Sequence, residues 1–357
     1  MTRVFLYGIV EGTLPAAIDV RGLDGTSRVR VVASGAIGAV VSAHATPFDV
    51  HDLPRETLLT NLVAYQRVVE RVMQRQSVLP VKFGTQLESA DEARDLVSQN
   101  RTTLGGAFAR MRGMTELEVA ATWEIGSVLQ EIGRDPAVVS AREAIQSRGD
   151  PTPEDRVGLG RLVGSLIELR RAAIRRRALD ALESLASNTA AHALLDERLV
   201  MNEAFLIPTG DLPEFEGRVQ ELDALFEGRI DFRIVGPLPT YTFCTVDVAR
   251  VTAAQRNEAR RVLGLTDEEP DERAIRGAYR RAAAAAQRQL PAAAQGDAPV
   301  TEAPGSDLRG ASELLLDLSR TDPTDRRPGS DSGDRWIARI RTTGLDDISA
   351  ATFGGGA

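Results

Sequence analysis

The chain has 357 residues, a formal net charge of -8, 43% hydrophobic residues and a single cysteine, Cys244. The length predicts two or three domains, and the acidic balance argues against nucleic acid as a main partner, because phosphate binding needs a net basic face. One cysteine excludes an internal disulfide and indicates a reducing, cytoplasmic setting, and no stretch approaches the ~20 apolar residues of a membrane span.

The chain begins with strand patterns. Residues 3–10 (RVFLYGIV) are apolar on both faces, which predicts a central strand. Residues 29–33 (VRVVA) and 37–42 (IGAVVS) flank Gly35, and this arrangement predicts a hairpin with glycine at its turn.

Two helices follow, with a short strand between them. Apolar residues recur at helical spacing from Pro54 to about Gln76, which predicts an amphipathic helix. Residues 78–85 (VLPVKFGT) predict a short strand, and Pro80, which cannot donate to a ladder, places that strand at an edge. The capping pattern predicts a second helix over 89–111.

The middle of the chain alternates strands and helices. The predicted elements are, in order, a strand at 116–125, a long helical region at 136–186, a strand at 199–208, a helix at 213–227 and strands at 230–236 and 241–248. This β-α-β-α-β-β order is close to that of a ferredoxin-like module.

The composition changes after residue 251. Two helices are predicted up to residue 291, followed by segments rich in Ala, Pro, Gly and Asp that bury too little apolar surface to fold. The predicted fold class is therefore α+β. Two mixed α/β domains, the second a modified ferredoxin-like one, precede a helical extension and a disordered tail. The predicted bounds are 1–115 and 116–250 for the two domains, 251–291 for the helical extension, and 292–357 for the mostly disordered tail.

Motifs for catalysis or metal binding are missing from the sequence. The histidines have no second ligand at a recognised spacing, and Cys244 has the pattern of a buried small hydrophobe. The sequence has no nucleophile elbow, Walker A motif or dinucleotide fingerprint. We therefore predict no catalytic residues, no cofactor and no metal site, and a protein that is not an enzyme. The three histidines are His44, His51 and His192.

A basic run in the long helical region has two interpretations. A solvated helix face is favoured, because charge runs on helices are common. The alternative is a docking patch for an acidic partner. The run consists of Arg170, Arg171, Arg175, Arg176 and Arg177.

Three stretches resemble the gas vesicle GvpL/GvpF family. They are VFLYGIVEG at 4–12, VLPVKFGT at 78–85 and FEGRIDFRIVGPLPTYTF at 226–243, and they occur in the family's order and at suitable distances. The resemblance covers about residues 1–248. It implies an N-terminal α/β domain and a modified ferredoxin-like C-terminal domain, and it offers no catalytic residues to carry over.

The resemblance also implies a function in gas vesicles within the cytoplasm. Members of the family bind the small hydrophobic shell protein, GvpA, through the N-terminal domain during shell nucleation or growth, beside other minor gas vesicle proteins. A shell monomer exposes apolar surface before it polymerises, and an edge strand or apolar groove would cover it. The candidate contacts are Val78, Leu79, Pro80, Val81, Lys82 and Phe83 on the edge strand, and Leu58, Leu62 and Tyr65 on the preceding helix.

The helical extension resembles the start of a J-domain. The matching residues are Leu263-Gly264-Leu265, Ile275, Ala278 and Tyr279, but the chain reads Gln287-Arg288-Gln289 where the His-Pro-Asp tripeptide is expected. That difference argues against an Hsp70 partner and favours a plain Ala-rich helical hairpin. Two alternative functions stay open at this point, a J-domain-like co-chaperone and a small-molecule enzyme on a ferredoxin-like scaffold. A deep pocket with perturbed carboxylates would favour the enzyme.

Overall fold

The computed structural model describes residues 2–12, 18–44, 46–267, 269–289, 306–322 and 333–341. They fall into two units, one formed by residues 1–112 together with 244–341 and the other by Gly113–Phe243. Both units combine helices with antiparallel sheets, which confirms the predicted α+β class. In sequence, the second unit interrupts the first.

The first unit is built on an antiparallel sheet. Its strands are β1 (Val4–Glu11), β2 (Ile18–Arg21), β3 (Arg28–Ser34), β4 (Ile37–Ala43), β5 (Val78–Pro80) and β6 (Gln86–Leu87). The order is β2-β3-β4-β1-β5, and β6 also pairs with β1. Residues 4–10 of β1 are all buried, as predicted for a central strand. The β3–β4 hairpin turns at Gly35 (φ 65°), in the left-handed region that favours glycine.

Three helices pack on this sheet. They are α1 (Arg55–Met73), α2 (Ala90–Gln99) and α3 (Arg101–Met111). The start of α2 is capped by Ser89, whose side chain accepts a hydrogen bond from the Glu92 backbone N–H. The helix predicted over 89–111 is thus two helices that meet at Asn100, whose side chain accepts and donates hydrogen bonds outside the helical ladder.

The second unit has a four-stranded antiparallel sheet with helices on one face. Its elements are β7 (Met114–Trp123), α4 (Ile125–Ile132), α5 (Pro136–Gln146), α6 (Pro153–Leu182), β8 (Asn188–Ala191), β9 (Leu199–Pro208), α7 (Leu212–Leu225) and β10 (Ile230–Leu238). The strand order is β10-β7-β9-β8. The core joins Leu117 of β7, Phe205 of β9 and Phe215 of α7, and the two phenylalanine rings lie 5.1 Å apart.

The connectivity of this unit differs from the predicted β-α-β-α-β-β. The observed order is β-α-β-β-α-β, the connectivity of ferredoxin-like modules. Two differences produce it. The short strand β8 (sequence NTAA) has no apolar alternation that would reveal it, and the predicted strand 241–248 instead begins at Thr245 and belongs to the first unit.

The C-terminal part of the chain completes the first unit. It contributes β11 (Thr245–Val251), α8 (Ala253–Leu263), α9 (Glu272–Gln289), α10 (Ser306–Ser319) and β12 (Arg335–Arg341). β11 and β12 form an antiparallel ribbon, and the three helices share a core that includes Leu263, Ile275 and Leu315. These elements join residues 1–112 in one unit, whereas the sequence predicted a separate helical extension.

The expected tail, 292–357, is only partly covered by the described residues. Within it, Ser306–Ser319 is helical and Arg335–Arg341 is a strand, because their apolar side chains are buried against distant parts of the first unit. The remaining predicted tail, at 292–305, 323–332 and 342–357, lies outside the described residues. No helix in the described parts of the chain combines the length and apolar character needed to cross a bilayer.

Candidate functional site

The residues predicted to contact a partner lie mostly in the core of the first unit. On α1, Leu58 and Tyr65 are buried and Leu62 is half-buried. In the strand segment only Lys82 is exposed. The buried residues of that segment are Val78, Leu79, Pro80, Val81 and Phe83. Leu79 and Val81 pack in the core with α2 and α3, whereas the ring of Phe83 contacts that of Tyr65 on α1.

The strand edge predicted at 78–85 is closed. β5 is the last strand on its side of the sheet, but the chain beyond it is paired on both sides. The Val81 N–H donates to the Tyr7 carbonyl (3.0 Å), and the Lys82 N–H donates to the Val246 carbonyl of β11 (2.9 Å). The sequence pattern identified an end of the sheet but could not show that a strand from residues 245–251 covers it.

Aromatic side chains explain why this segment is buried. The ring of Phe83 lies 5.8 Å from that of Phe5 and 5.5 Å from that of Tyr65, centroid to centroid. The Tyr65 hydroxyl donates to the Val81 carbonyl at 2.6 Å. Burial raises the pKa of Tyr65, so this hydroxyl keeps its proton throughout the physiological range. The segment therefore anchors α1 to the sheet.

The outer face of α1 forms one wall of an open groove. Leu59 and Val63, one helical turn apart, are 45% and 53% exposed. Across from them lie β2 and the loop that follows it, and the groove between has a volume of about 800 Å³. Exposed large apolar side chains beside a concave surface are typical of sites that bind protein segments. We call this feature the α1–β2 groove. Its lining includes Val20, Gly22, Leu23, Leu59, Val63 and Arg67.

The wall opposite α1 is an edge strand. Within the part of the chain that the structure describes, β2 pairs with β3 alone. An unpaired strand edge beside an apolar surface can accept an extended segment as an additional strand. The α1–β2 groove thus combines backbone hydrogen-bonding groups with an apolar surface.

Buried hydroxyls fix the loop after β2. The Tyr7 hydroxyl accepts a hydrogen bond from the Leu23 N–H (2.9 Å) and lies 2.8 Å from the Ser42 hydroxyl. A Cβ on Gly22 would collide with Ser42, so the close approach of this loop requires glycine. The groove wall is therefore held by β1 and β4 and does not depend on a partner.

Charged groups surround the rim of the groove. Arg67 lines it, and Arg71 lies 3.9 Å from Asp19, which is almost fully exposed. Burial raises the pKa of Asp24, but hydrogen bonds from Ser27 and Thr26 outweigh that effect and hold it at about 2. The rim thus carries both signs of charge around an apolar centre, which suits a partner segment that is apolar with flanking charges.

The sequence contained a signal for this groove that the predicted contacts did not use. Leu58 with Leu59 and Leu62 with Val63 form adjacent apolar pairs one turn apart. A single buried stripe needs only one member of each pair. The second member of each pair therefore indicates an apolar surface on another side of the helix.

A buried polar cluster lies in the second unit. The Thr242 backbone N–H and hydroxyl both donate to the Glu116 carboxyl, at 2.9 and 2.8 Å, and the His192 Nε2 lies 3.5 Å from the Thr242 hydroxyl oxygen. Burial raises the pKa of Glu116 to about 8 despite the bonds from Thr242, and burial also raises the pKa of Glu118. These groups join the turn at 236–243 to β7. The Glu116 carboxyl, whose pKa is raised, therefore serves to hold the turn in place.

The backbone of that turn requires glycine. Gly236 has φ 138°, and a Cβ there would lie 2.6 Å from the Leu117 Cδ2 and 2.9 Å from the Glu116 carbonyl oxygen. The Thr115 hydroxyl donates to the Leu238 carbonyl on the far side of the turn. The third sequence stretch that resembles a known family is therefore a tightly packed structural element.

The remaining candidate groups have roles within their own unit. Burial raises the pKa of the Cys244 thiol to about 11, which keeps it protonated and unreactive. In the basic run, the first four arginines form ion pairs inside the second unit and the fifth lies over the ring of Phe226. Those pairs are Arg170–Glu131, Arg171–Glu168, Arg175–Glu203 and Arg176–Asp180, and the fifth arginine is Arg177. Among the described residues no group of three His, Cys, Asp or Glu side chains is placed to hold a metal ion.

The chain is similar to known proteins over its first two thirds. Residues 3–245 match the family model described as gas vesicle synthesis protein GvpL/GvpF. Gas vesicle protein F of Microcystis aeruginosa (strain PCC 7806) is 24% identical over 247 residues, which are 67% of this chain and 97% of that protein. Gas vesicle protein F of Nostoc sp. (strain PCC 7120) is 23% identical over 255 residues, 68% of this chain and 98% of that protein.

The fold is also similar to that of a solved structure. The crystal structure of the gas vesicle protein GvpF from Anabaena sp. PCC7120 aligns with a TM-score of 0.59 at 23% sequence identity. The alignment covers 68% of this chain and 98% of that one. The family model ends at residue 245, where β11 begins, so β12 and α8–α10 lie beyond the matched region.

Proposed function

This chain belongs to the gas vesicle synthesis protein GvpL/GvpF family, and on that premise we propose that it binds the small shell protein, GvpA, and assists nucleation or growth of the gas vesicle shell. It acts at gas vesicles in the cytoplasm, beside other minor gas vesicle proteins. We infer that the protein acts by binding and does not catalyse a reaction. The three matching sequence stretches and the long alignments to gas vesicle protein F support this assignment.

The α1–β2 groove is the site we propose for the shell protein. The observation that supports it is the pair of exposed side chains Leu59 and Val63 beside the unpaired edge of β2. A shell subunit must expose apolar surface before it polymerises, and such surface aggregates unless it is covered. The groove offers apolar contact and strand pairing together, the two interactions that an unpolymerised subunit lacks.

The groove replaces the contact residues predicted from sequence. Val81, Phe83 and Tyr65 are buried, and a partner would have to open the core to reach them. Leu59 and Val63 need no such opening. The predicted role of the N-terminal domain is kept in this proposal, while the contact surface moves to the outer side of α1.

The proposal is tested by charging the groove. We expect the double variant Leu59→Asp/Val63→Asp to bind co-produced, tagged shell protein about tenfold or more weakly, because buried charges without partners oppose docking. The matched control is Leu169→Asp, which alters a 67% exposed leucine on α6 of the second unit. The control should bind within about twofold of the parent, as expected for an exposed side chain outside the interface.

Folding and binding must be measured together. Both mutated side chains of the groove are exposed, so the melting temperature of the variant should stay close to that of the parent. A variant that keeps its melting temperature and still retains the shell protein fully would refute the groove as the site. The full chain is required for this test, because β11 and β12 belong to the same unit as the groove.

The two alternative functions have less support. For an enzyme, the perturbed carboxyl of Glu116 is bonded to Thr242 within the turn, and Cys244 is buried and protonated. For a co-chaperone, α9 has the sequence Gln287-Arg288-Gln289 where the His-Pro-Asp tripeptide would be needed. We therefore place the function of this chain in binding.

A further inference from the structure

Strand β12 lies between two apolar layers of the first unit. Trp336 and Ala338 are buried in the core that contains Leu96 of α2. Ile337, which points to the opposite side of the strand, is buried with Leu315 of α10. β12 therefore fills a slot with apolar pockets on both sides, which we call the β12 slot.

The backbone of β12 is bound along both edges. On one edge it pairs with β11 over seven consecutive residues. On the other edge, the side chain of Asn100 donates to the Trp336 carbonyl and accepts from the Ala338 N–H, both at 2.9 Å. The Gln99 side chain accepts from the Trp336 N–H at 2.8 Å. Side chains that hydrogen-bond to backbone groups in this way recognise the extended backbone of a segment.

Acidic groups complete the slot. Arg339 of β12 pairs with Asp317 of α10, and Arg341 pairs with Asp247 of β11. The slot therefore selects a strand with apolar side chains on both faces and arginines near its end. Backbone bonds supply affinity, while the Trp336 pocket and the two carboxylates supply specificity.

The occupant comes from outside the family core. The match to the family ends at residue 245, so α10 and all but the first residue of β11 lie beyond it together with β12, whereas Asn100 and Gln99 lie within it. Ten residues separate Asp322 from Gly333 in the sequence, and an extended chain of that length spans up to roughly 35 Å. That length sets the upper limit on the distance between Asp322 of one copy and β12 in the slot of another.

We propose that the β12 slot is a strand-binding site in its own right, and that the partner it fits in trans is Arg335–Arg341 of a second copy of this chain. A second copy offers the same tryptophan, the same apolar side chains on both faces and the same arginines as the strand that fills the slot in cis. Exchange of β12 between copies joins them without any new contact surface. This inference is independent of shell-protein binding at the α1–β2 groove.

The first part of the test asks whether the strand behaves as a ligand. A protease site is placed within residues 323–332 of the full chain, and the purified protein is cut. We expect the released segment to co-elute with the rest of the chain on gel filtration, and to be displaced by excess labelled peptide of residues 333–341. The matched control peptide carries Trp336→Ala and should bind about tenfold or more weakly. Loss of the cut segment with no change in melting temperature would overturn the proposal, as would failure of the peptide to exchange.

The second part asks whether a second copy is the partner. Cut protein from which the segment has been displaced is separated from unbound peptide and mixed with an excess of tagged, uncut chain. We expect the tagged chain to capture the cut protein, and a tagged Trp336→Ala chain to capture about tenfold less. If the peptide binds but the uncut chain captures nothing, the slot is a strand-binding site whose partner is not a second copy, and the assignment is wrong.

Discussion

The two units hold their family-like segments in place by different chemistry. In the first unit, the segment at 78–85 is fixed by aromatic packing and by the Tyr65 hydroxyl, whose proton stays in place across the physiological pH range. In the second unit, the turn at 236–243 is fixed by the Glu116 carboxyl, whose pKa is raised to about 8. The comparison teaches that two buried motifs can differ in their response to pH, because only one of them depends on a group that titrates near the physiological range.

The two tryptophans allow the units to be followed separately. Trp123 lies in the second unit and Trp336 in the first, and the chain has no other tryptophan. Variants with one tryptophan replaced by phenylalanine therefore report the unfolding of one unit at a time. The predictions below use this readout.

The largest expected effect is a pH dependence of the second unit. The pKa of Glu116 rises from its ordinary 4.5 to about 8 on folding, so its stabilising contribution is complete below pH 4.5 and is lost as the pH rises through 8. The free energy of unfolding of this unit should fall by on the order of 3–4 kcal/mol between pH 5 and 9. Urea unfolding followed by Trp123 fluorescence measures this change.

The control for this effect is Glu116→Gln, which keeps the shape of the side chain and removes its titration. The nearby titratable groups are Glu118 and His192, and both stay in place. We expect the variant to lose most of the decline with pH. A parent protein whose second unit is equally stable at pH 5 and pH 9 would contradict the role given to Glu116.

The next largest effect concerns the backbone of the second unit. Gly236→Ala should lower its free energy of unfolding by about 2–4 kcal/mol, because alanine resists φ 138° and its Cβ would collide with Leu117. Gly217→Ala on α7, where a Cβ would meet nothing within 4 Å, should be neutral or stabilise by about 0.5–1 kcal/mol. Equal losses in the two variants would mean that the turn is not constrained as described.

The smallest effect tests the first unit. Tyr65→Phe removes the hydrogen bond to the Val81 carbonyl and should cost about 1–2 kcal/mol at every pH between 5 and 9. Trp336 fluorescence reports this unit. A cost that varied with pH would show that a titratable group, and not the hydroxyl alone, supports the segment at 78–85.

Strong periodicity made some elements predictable from sequence. β1, the β3–β4 hairpin and α1 follow from apolar runs and turn residues, because local pattern and tertiary packing agree there. The missed elements depend on partners far away in the sequence. Asn100 interrupts a predicted helix because its side chain binds residues 336 and 338, and β12 is a strand because a slot receives it.

The candidate site was predicted less well than the fold. The sequence predicts the less exposed member of each apolar pair on α1, Leu58 and Leu62, as contacts in place of Leu59 and Val63. Spacing alone does not say which stripe faces the sheet. The sequence also predicts an open edge at 78–85, because Pro80 fits one. The strand that closes it comes from residues 245–251, which no local pattern could connect to it.

Because the second unit interrupts the first in the sequence, the two units are completed at different stages of synthesis. Residues 113–243 leave the ribosome as a continuous stretch, so the second unit has all of its strands before the first unit has received β11 and β12. The first unit lacks the β11–β12 ribbon until Arg341 has emerged. Until then the side chain of Trp336 does not cover Leu96 and its neighbours. The N-terminal third of this protein is therefore translated first and finished last.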